Sequence, residues 1–214
     1  MKPSMIKGLL RRFIPSRLLR ARHALFGWRW FRGRFATWQE AQAHATGYDQ
    51  PSILDKVVRA TLEVKAGRAG YERDSCLFQE REVEPGLMEA LQGVAADNDG
   101  RLRVIDFGGS LGSSYWQHRP ELDELCEVRW DVVEQPHFVE AGRRLVQDDR
   151  LRFYGTIDEA EQAVAHQVLL ASGVVHCLPD PHAFLNDVVR RRLPWLVFHN
   201  VPLHEPESDY VMIE

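Results

Sequence analysis

From Arg101 onward, short apolar runs alternate with stretches of helical periodicity, and that alternation limits the folds open to the chain. The runs at 102–107, 128–134, 151–154, 167–172 and 195–199 predict strands. Helical patterns near 115–125, 137–147, 157–164 and 181–191 fall between them. Strand–helix alternation of this kind predicts an α/β fold with a doubly wound, mostly parallel sheet of the Rossmann-like class. Ligands of such sheets sit at the carboxyl ends of the strands, near the point where strand order reverses.

The preceding hundred residues read differently. Residues 38–48 predict a short helix stopped by Gly47. Residues 52–66 predict a longer one closed by Gly67, with Ile53, Leu54, Val57, Val58 and Leu62 on one side. The polar stretch 69–84 reads as irregular. Pro85 opens a helix to about Ala96, with Leu87, Leu91 and Val94 inward, and Asn98, Asp99 and Gly100 make a turn. The expected organisation is a basic amphipathic helical arm over 1–37, a helical cap region over 38–100 and a Rossmann-like core over 101–214.

Composition narrows the functional classes. With 44% hydrophobic residues in 214, the chain can bury a real core, which excludes global disorder. No apolar run approaches the ~18 residues of a membrane-spanning helix. The three cysteines, Cys76, Cys126 and Cys177, are widely spaced, so neither a disulfide framework nor a zinc knuckle is expected, and a reducing cytoplasm fits. The nine histidines show no metal-ligand spacing, and no metal is expected.

The net charge of -4 conceals an asymmetry: residues 1–39 hold ten basic and no acidic residues, while all 31 acidic residues follow. Ile6, Leu9, Leu10, Phe13 and Ile14 share one helical face, with Lys7, Arg11 and Arg12 off it. Pro15 ends that helix and Ser16 can cap the next. Further on, Trp28, Trp30 and Phe31 alternate with Arg29, Arg32 and Arg34. The arginines interrupt the apolar centre that a signal peptide needs. Two readings stand: residues 1–34 rest on an anionic membrane surface, which places the protein at the inner face of the membrane, or they form an arm that packs on protein. Nucleic acid is not an expected partner, for want of a docking motif.

The first core strand, VIDF, runs straight into GGSLG, Gly108 to Gly112. A phosphate-binding P-loop fails here, because no lysine follows. A dinucleotide fingerprint starting at Gly108 would need glycines where Ser110 and Ser113 stand. The pattern G-x-S-x-G of a hydrolase nucleophile elbow matches, with Ser110 as nucleophile, but it comes early and lacks an upstream oxyanion motif. In the remaining reading the loop binds a nucleoside, as in methyltransferases. Asp106 ends the first strand, the glycines meet the amino-acid part of S-adenosylmethionine, and Glu134 at the tip of the second strand takes the ribose hydroxyls. Glu134 follows Gly112 at the distance of about 20 residues that a loop–helix–strand unit spans. A turn cap at Asp106 or a solvated Glu134 accounts for either acid alone, less well for both.

The fourth strand leads into SGVVHCLPDP, which looks like the corresponding segment of class I S-adenosylmethionine-dependent methyltransferases. More narrowly, the blocks GYERDSCLF (70–78), VIDFGGSLGSSYWQHR (104–119), VRWDVVEQPHFVEAG (128–142), LRFYGTID (151–158) and VLLASGVVHCLPDP (168–181) resemble a bacterial family classed with those methyltransferases and associated with surface-polysaccharide gene clusters. GGSLGSSY followed by VEQPHFVE is the specific part. Ser110 departs from the general D-x-G-x-G-x-G loop, although the narrower family shares the serine. Members of that family continue past the fifth strand, so the expectation is a C-terminally shortened sheet, with 200–214 supplying at most one short strand.

The resemblance implies an S-adenosyl-L-methionine-dependent enzyme that O-methylates a sugar or glycan acceptor in surface-polysaccharide biosynthesis. Gly108, Gly109, Ser110 and Gly112 would hold the amino-acid part of the cofactor, and Asp106 and Ser172 would also bind it. Glu134 would hold the ribose and Gln135 would edge the adenine. His176, just past strand four, is the candidate base, with a structural histidine as the alternative. Tyr71, Glu72, Arg73 and Asp74 would close over the site or form an exposed loop. A non-catalytic cofactor-binding or assembly module, and a serine hydrolase using Ser110, remain as alternatives.

Overall fold

A computed structural model describes residues 32–45, 51–202 and 211–213. Along the chain its elements are β1 (Arg32–Phe35), α1 (Trp38–Gln42), α2 (Pro51–Lys65), β2 (Tyr71–Arg73), β3 (Cys76–Phe78), α3 (Pro85–Ala96), β4 (Arg101–Phe107), α4 (Ser113–Gln117), α5 (Arg119–Leu122) and β5 (Glu127–Val133). There follow α6 (Pro136–Leu145), β6 (Leu151–Tyr154), α7 (Ile157–Ala163), β7 (Val168–Ser172), a 3₁₀ turn (Val175–Cys177), α8 (Pro181–Arg190), β8 (Trp195–His199) and β9 (Val211–Ile213). The chain divides into two units, residues 1–47 with 205–214, and residues 48–204.

In the first unit β1 and β9 pair antiparallel, Arg32 opposite Ile213 and Phe35 opposite Val211. The expected helical arm lies outside the described residues up to 31, and Arg32–Phe35 is a strand rather than helix. Thr37 caps α1: its side chain accepts from the Glu40 amide at 3.2 Å, while the Glu40 carboxylate accepts from the Ala36 amide at 3.0 Å.

The second unit holds a five-stranded sheet in the order β6-β5-β4-β7-β8, parallel throughout. The order reverses between β4 and β7, as in a doubly wound, Rossmann-like sheet. Because successive residues of a strand point to opposite faces, the sheet builds two cores. Val104, Trp130, Val132 and Leu170 pack on the first face with Leu87, Leu91, Tyr115 and Phe138 from α3, α4 and α6. Ile105, Val133, Leu169 and Ala171 pack on the second with Ile157, Ala160 and Val188 from α7 and α8.

Two local expectations are corrected. The stretch 69–84 contains a hairpin, β2 paired with β3, whose turn residues Asp74 and Ser75 sit at φ 50° and 62°. A turn of that type usually contains glycine, and its absence hid the hairpin. The helix expected over 115–125 is two short ones, because Pro120 has no amide to continue the ladder and falls in the first turn of α5. No described helix is long and apolar enough to cross a membrane.

Candidate functional site

The loop 108–112 leaves the carboxyl end of β4 at the switch point. The Gly108 amide extends the ladder by donating to the Val133 carbonyl at 2.9 Å. The chain then turns sharply, with Gly108 at φ 70°, Ser110 at 55° and Gly112 at 84°. A serine in this left-handed region is strained, and the bond that holds it is visible. The Ser110 amide donates to Glu134 Oε1 at 3.1 Å. The other carboxylate oxygen, Oε2, accepts from the Gln135 amide at 2.8 Å. Loop and carboxylate therefore meet at the ends of adjacent strands. Burial pushes the Glu134 pKa up, against the pull of those two amides. A carboxylate has about four acceptor positions, so two bonds leave it able to receive hydroxyls from a ligand.

Asp106 lies beneath the loop, almost fully buried. Its Oδ2 accepts from the Trp130 indole at 2.9 Å, and its Oδ1 has no hydrogen-bond partner. Burial first, with the Trp130 bond opposing it and the Glu134 charge adding to it, pushes its pKa up to about 7. The loop rests directly on this carboxyl: a Cβ on Gly109 would stand 2.3 Å from Oδ2, so only glycine fits. The following α4 is five residues long. The amides of Gly108, Ser110 and Gly112 are already bonded within the protein, to Val133, Glu134 and the Gly109 carbonyl, so what the loop offers a ligand is close approach of its backbone rather than a helix terminus.

The hairpin brings Tyr71, Glu72, Arg73 and Asp74 to this end of the sheet. Glu72 is buried, accepts from the Ser113 hydroxyl just past the glycine loop, and accepts from the Ser75 amide at 3.3 Å. Burial raises its pKa. Tyr71 is buried, stacks on Phe78 with 4.5 Å between ring centres, and donates to Glu82 at 3.1 Å. Arg73 pairs with Glu84. Asp74 belongs to the turn. The hairpin is thus fastened beside the loop rather than being a free polar excursion.

Ser172, at the end of β7, has a partner that the sequence reading did not include. Its hydroxyl lies 3.0 Å from Nδ1 of His199, the last residue of β8, and His199 Nε2 lies 2.7 Å from Glu84 Oε2. Glu84 is positioned by the α4–α5 corner. The His118 Nε2 accepts from the Glu84 amide at 3.1 Å, and Gln117 donates to the Glu82 carbonyl at 2.7 Å. His118 in turn donates from Nδ1 to the Ser114 carbonyl at 3.0 Å, so its ring is neutral; burial lowers its pKa. His176 is exposed on the 3₁₀ turn. Gln135 is exposed at the start of α6.

The sequence reading named the loop, Asp106 and Glu134, which meet here, and did not name His199, Glu84 or His118. One signal was present: Ser172 and His199 end consecutive predicted strands, and consecutive parallel strands often lie side by side. Among the described residues no histidine is hydrogen-bonded to Ser110; the serine whose hydroxyl is bonded to a histidine is Ser172. Nor do the described residues contain a group of three or more side chains arranged to hold a metal. No protein-family model matches the chain, and no curated protein is significantly similar to it.

Proposed function

We propose that the protein is an S-adenosylmethionine-dependent methyltransferase acting on a hydroxyl of a sugar or glycan-type acceptor. The observation that carries this reading is the 3.1 Å bond between the Ser110 amide and Glu134 at the switch point of the sheet. It sets a glycine loop against a carboxylate with acceptor positions to spare, the combination an adenosyl group with an amino-acid tail requires. The acceptor class rests on the resemblance of the 104–119 and 128–142 blocks.

In this reading Gly108, Gly109, Ser110 and Gly112 hold the amino-acid part and Glu134 holds the ribose. Gln135 edges the adenine, and Asp106 supports the loop from below. Glu72 and the hairpin close the side of the site next to Ser113. When bound, the cofactor supplies a methyl carbon whose bond to sulfur breaks, with the electron pair left on sulfur, as an acceptor oxygen bonds to it. The protein's main task is to align acceptor and methyl carbon, and alignment alone can lower a barrier by ~7–11 kcal/mol.

Calorimetry with S-adenosylhomocysteine tests the reading. The wild-type chain binds it. Glu134→Ala and Glu134→Gln weaken binding at least about tenfold, the effect of losing one charge-assisted interaction, while far-UV circular dichroism stays unchanged. Absence of binding by the wild type overturns the proposal.

A further inference from the structure

Ser172 and His199 occupy the last rung of the β7–β8 ladder, directly opposite one another. Leu170 and Val197, two residues earlier on each strand, pack against the first core. Strand alternation therefore puts Ser172 and His199 on that same face, as it does Asp106 after Val104. Glu84 reaches them from the N-cap position of α3, whose buried residues fill that core. The three side chains form a series: hydroxyl to Nδ1 at 3.0 Å, Nε2 to carboxylate at 2.7 Å. It stands across the switch point from the glycine loop, because β7 is the neighbour of β4.

The chemistry of the partners fixes the hydrogen on Nε2. An ionised carboxylate only accepts, so Nε2 of His199 carries a hydrogen, and in the neutral ring Nδ1 then presents a lone pair. Ser172 then donates its hydroxyl proton to Nδ1, and its oxygen remains free to accept another. Glu84 is held by the Arg73 ion pair and by the hydrogen bond that its backbone amide donates to His118 Nε2. Among the described residues, the charged and titratable groups bonded to His199 and its partner carboxylate are therefore Glu84, Arg73 and His118. The His199 and Glu84 side chains keep 23% and 17% of their surface, enough for a ligand to approach.

We propose that Ser172, His199 and Glu84 are the proton-accepting relay of this site, and that the acceptor it serves is a neutral alcohol. The proposal rests on the methyl-transfer reading above. An alcohol must lose a proton as its oxygen is methylated, whereas a thiolate or carboxylate acceptor needs no base. The acceptor hydroxyl gives its proton to Ser172 Oγ while Ser172 passes its own to His199 Nδ1. The imidazolium so formed lies against the Glu84 carboxylate, which stays ionised. Ser172 is the catalytic residue that touches the acceptor, His199 takes the proton, and Glu84 is a positioning residue. Acyl transfer through Ser172 is disfavoured, because the next amide, Gly173, donates to the His199 carbonyl at 2.9 Å and offers no oxyanion contact.

The test uses the full chain saturated with S-adenosylhomocysteine, then S-adenosylmethionine with methyl α-D-glucopyranoside and glycerol as hydroxyl probes and 2-mercaptoethanol as the thiol probe. Imidazole nitrogen NMR should show His199 as the Nε2–H tautomer in the wild type and lose that preference in Glu84→Gln. His199→Gln and Ser172→Ala should bind S-adenosylhomocysteine within about twofold of wild type. Their transfer to the hydroxyl probes should fall by ~10²–10⁴-fold, the range a general base contributes, with the rise of rate with pH abolished and transfer to the thiol spared. An Nδ1–H tautomer overturns the relay. So does wild-type hydroxyl transfer in both variants, or a wild-type protein that binds S-adenosylhomocysteine and methylates neither hydroxyl probe. Failure of the wild type to bind S-adenosylhomocysteine instead overturns the methyltransferase reading itself.

Discussion

The Asp131–His166 pair and the Glu84–His199 pair join the same two functional groups at nearly the same separation, 2.9 and 2.7 Å. Asp131 lies within β5 and His166 just before β7, and neither side chain keeps any exposed surface. Arg129 adds a second ion pair to Asp131 and donates to the Tyr154 hydroxyl at 2.8 Å. This pair belongs to the second face of the sheet, beside Val133 and Ile157. The Glu84–His199 pair belongs to the first face, at the carboxyl edge, where it is partly exposed and has a hydroxyl as third member. A proton delivered to His199 has a donor in reach, whereas His166 is sealed and its Nδ1 has no partner. Identical chemistry thus serves packing in one place and proton transfer in the other, and the surroundings decide which.

The sharpest separation should appear in stability. Removing one partner of a buried ion pair leaves an uncompensated charge and costs ~3–5 kcal/mol. Asp131→Ala, which removes the partner of the partly exposed Arg129 and of the buried His166, should lower the unfolding free energy from urea melts by that amount. Glu84→Ala, at a partly exposed pair, should cost about 1 kcal/mol or less. Equal losses in the two variants would erase the distinction between the pairs.

Asp106 combines the burial of one pair with the position of the other, and so sharpens the contrast. Its pKa, raised to about 7, means that between about pH 4 and that value the folded chain keeps a proton the unfolded chain has released. Stability therefore falls as pH rises through that window, and the buried Glu72 and Glu134 tilt it the same way. Asp106→Asn removes the largest contribution and should reduce the total change in stability across the window by about 4 kcal/mol, read from urea melts below and above it. An unchanged slope would mean that Asp106 is ionised in the fold. Gly109→Ala drives a methyl group into the same carboxyl. It should cost ~1–3 kcal/mol, the usual penalty of overpacking, and weaken S-adenosylhomocysteine binding in the same calorimetric experiment. Wild-type stability and affinity would show that the loop has room the 2.3 Å approach denies.

The contrast also explains what the sequence made legible. The five core strands were readable because each is an apolar run bounded by turn residues, and the edges shifted by a residue at most. Asp106, the glycine loop and Glu134 were readable because one loop–helix–strand unit separates them. The Glu84–His199 pair was not, since no spacing links an N-cap residue of α3 to the end of β8; only the order in which strands lie side by side does. Asp131 and His166 were hidden for the same reason. The hairpin Tyr71–Phe78 was hidden by chemistry instead, its turn being made by Asp74 and Ser75 without a glycine.

The smallest effect is expected at His176, which makes it a useful control on the pairs. It follows the end of β7 closely in sequence, which is why it draws attention as a base. Proximity along the chain does not orient a ring. A base has to be held within hydrogen-bond reach of the proton it takes, with its other nitrogen fixed, and geometry comes before pKa in that choice. His199 has both nitrogens engaged, one by Ser172 and one by Glu84. His176 is an exposed residue on a three-residue turn. His176→Ala should therefore change stability by less than about 0.5 kcal/mol and leave the His199 imidazole signals in place. If it instead lowered hydroxyl methylation as far as His199→Gln, a ring without fixed partners would be taking the proton. Burial and bonding would then no longer tell a working carboxylate–imidazole pair from a structural one.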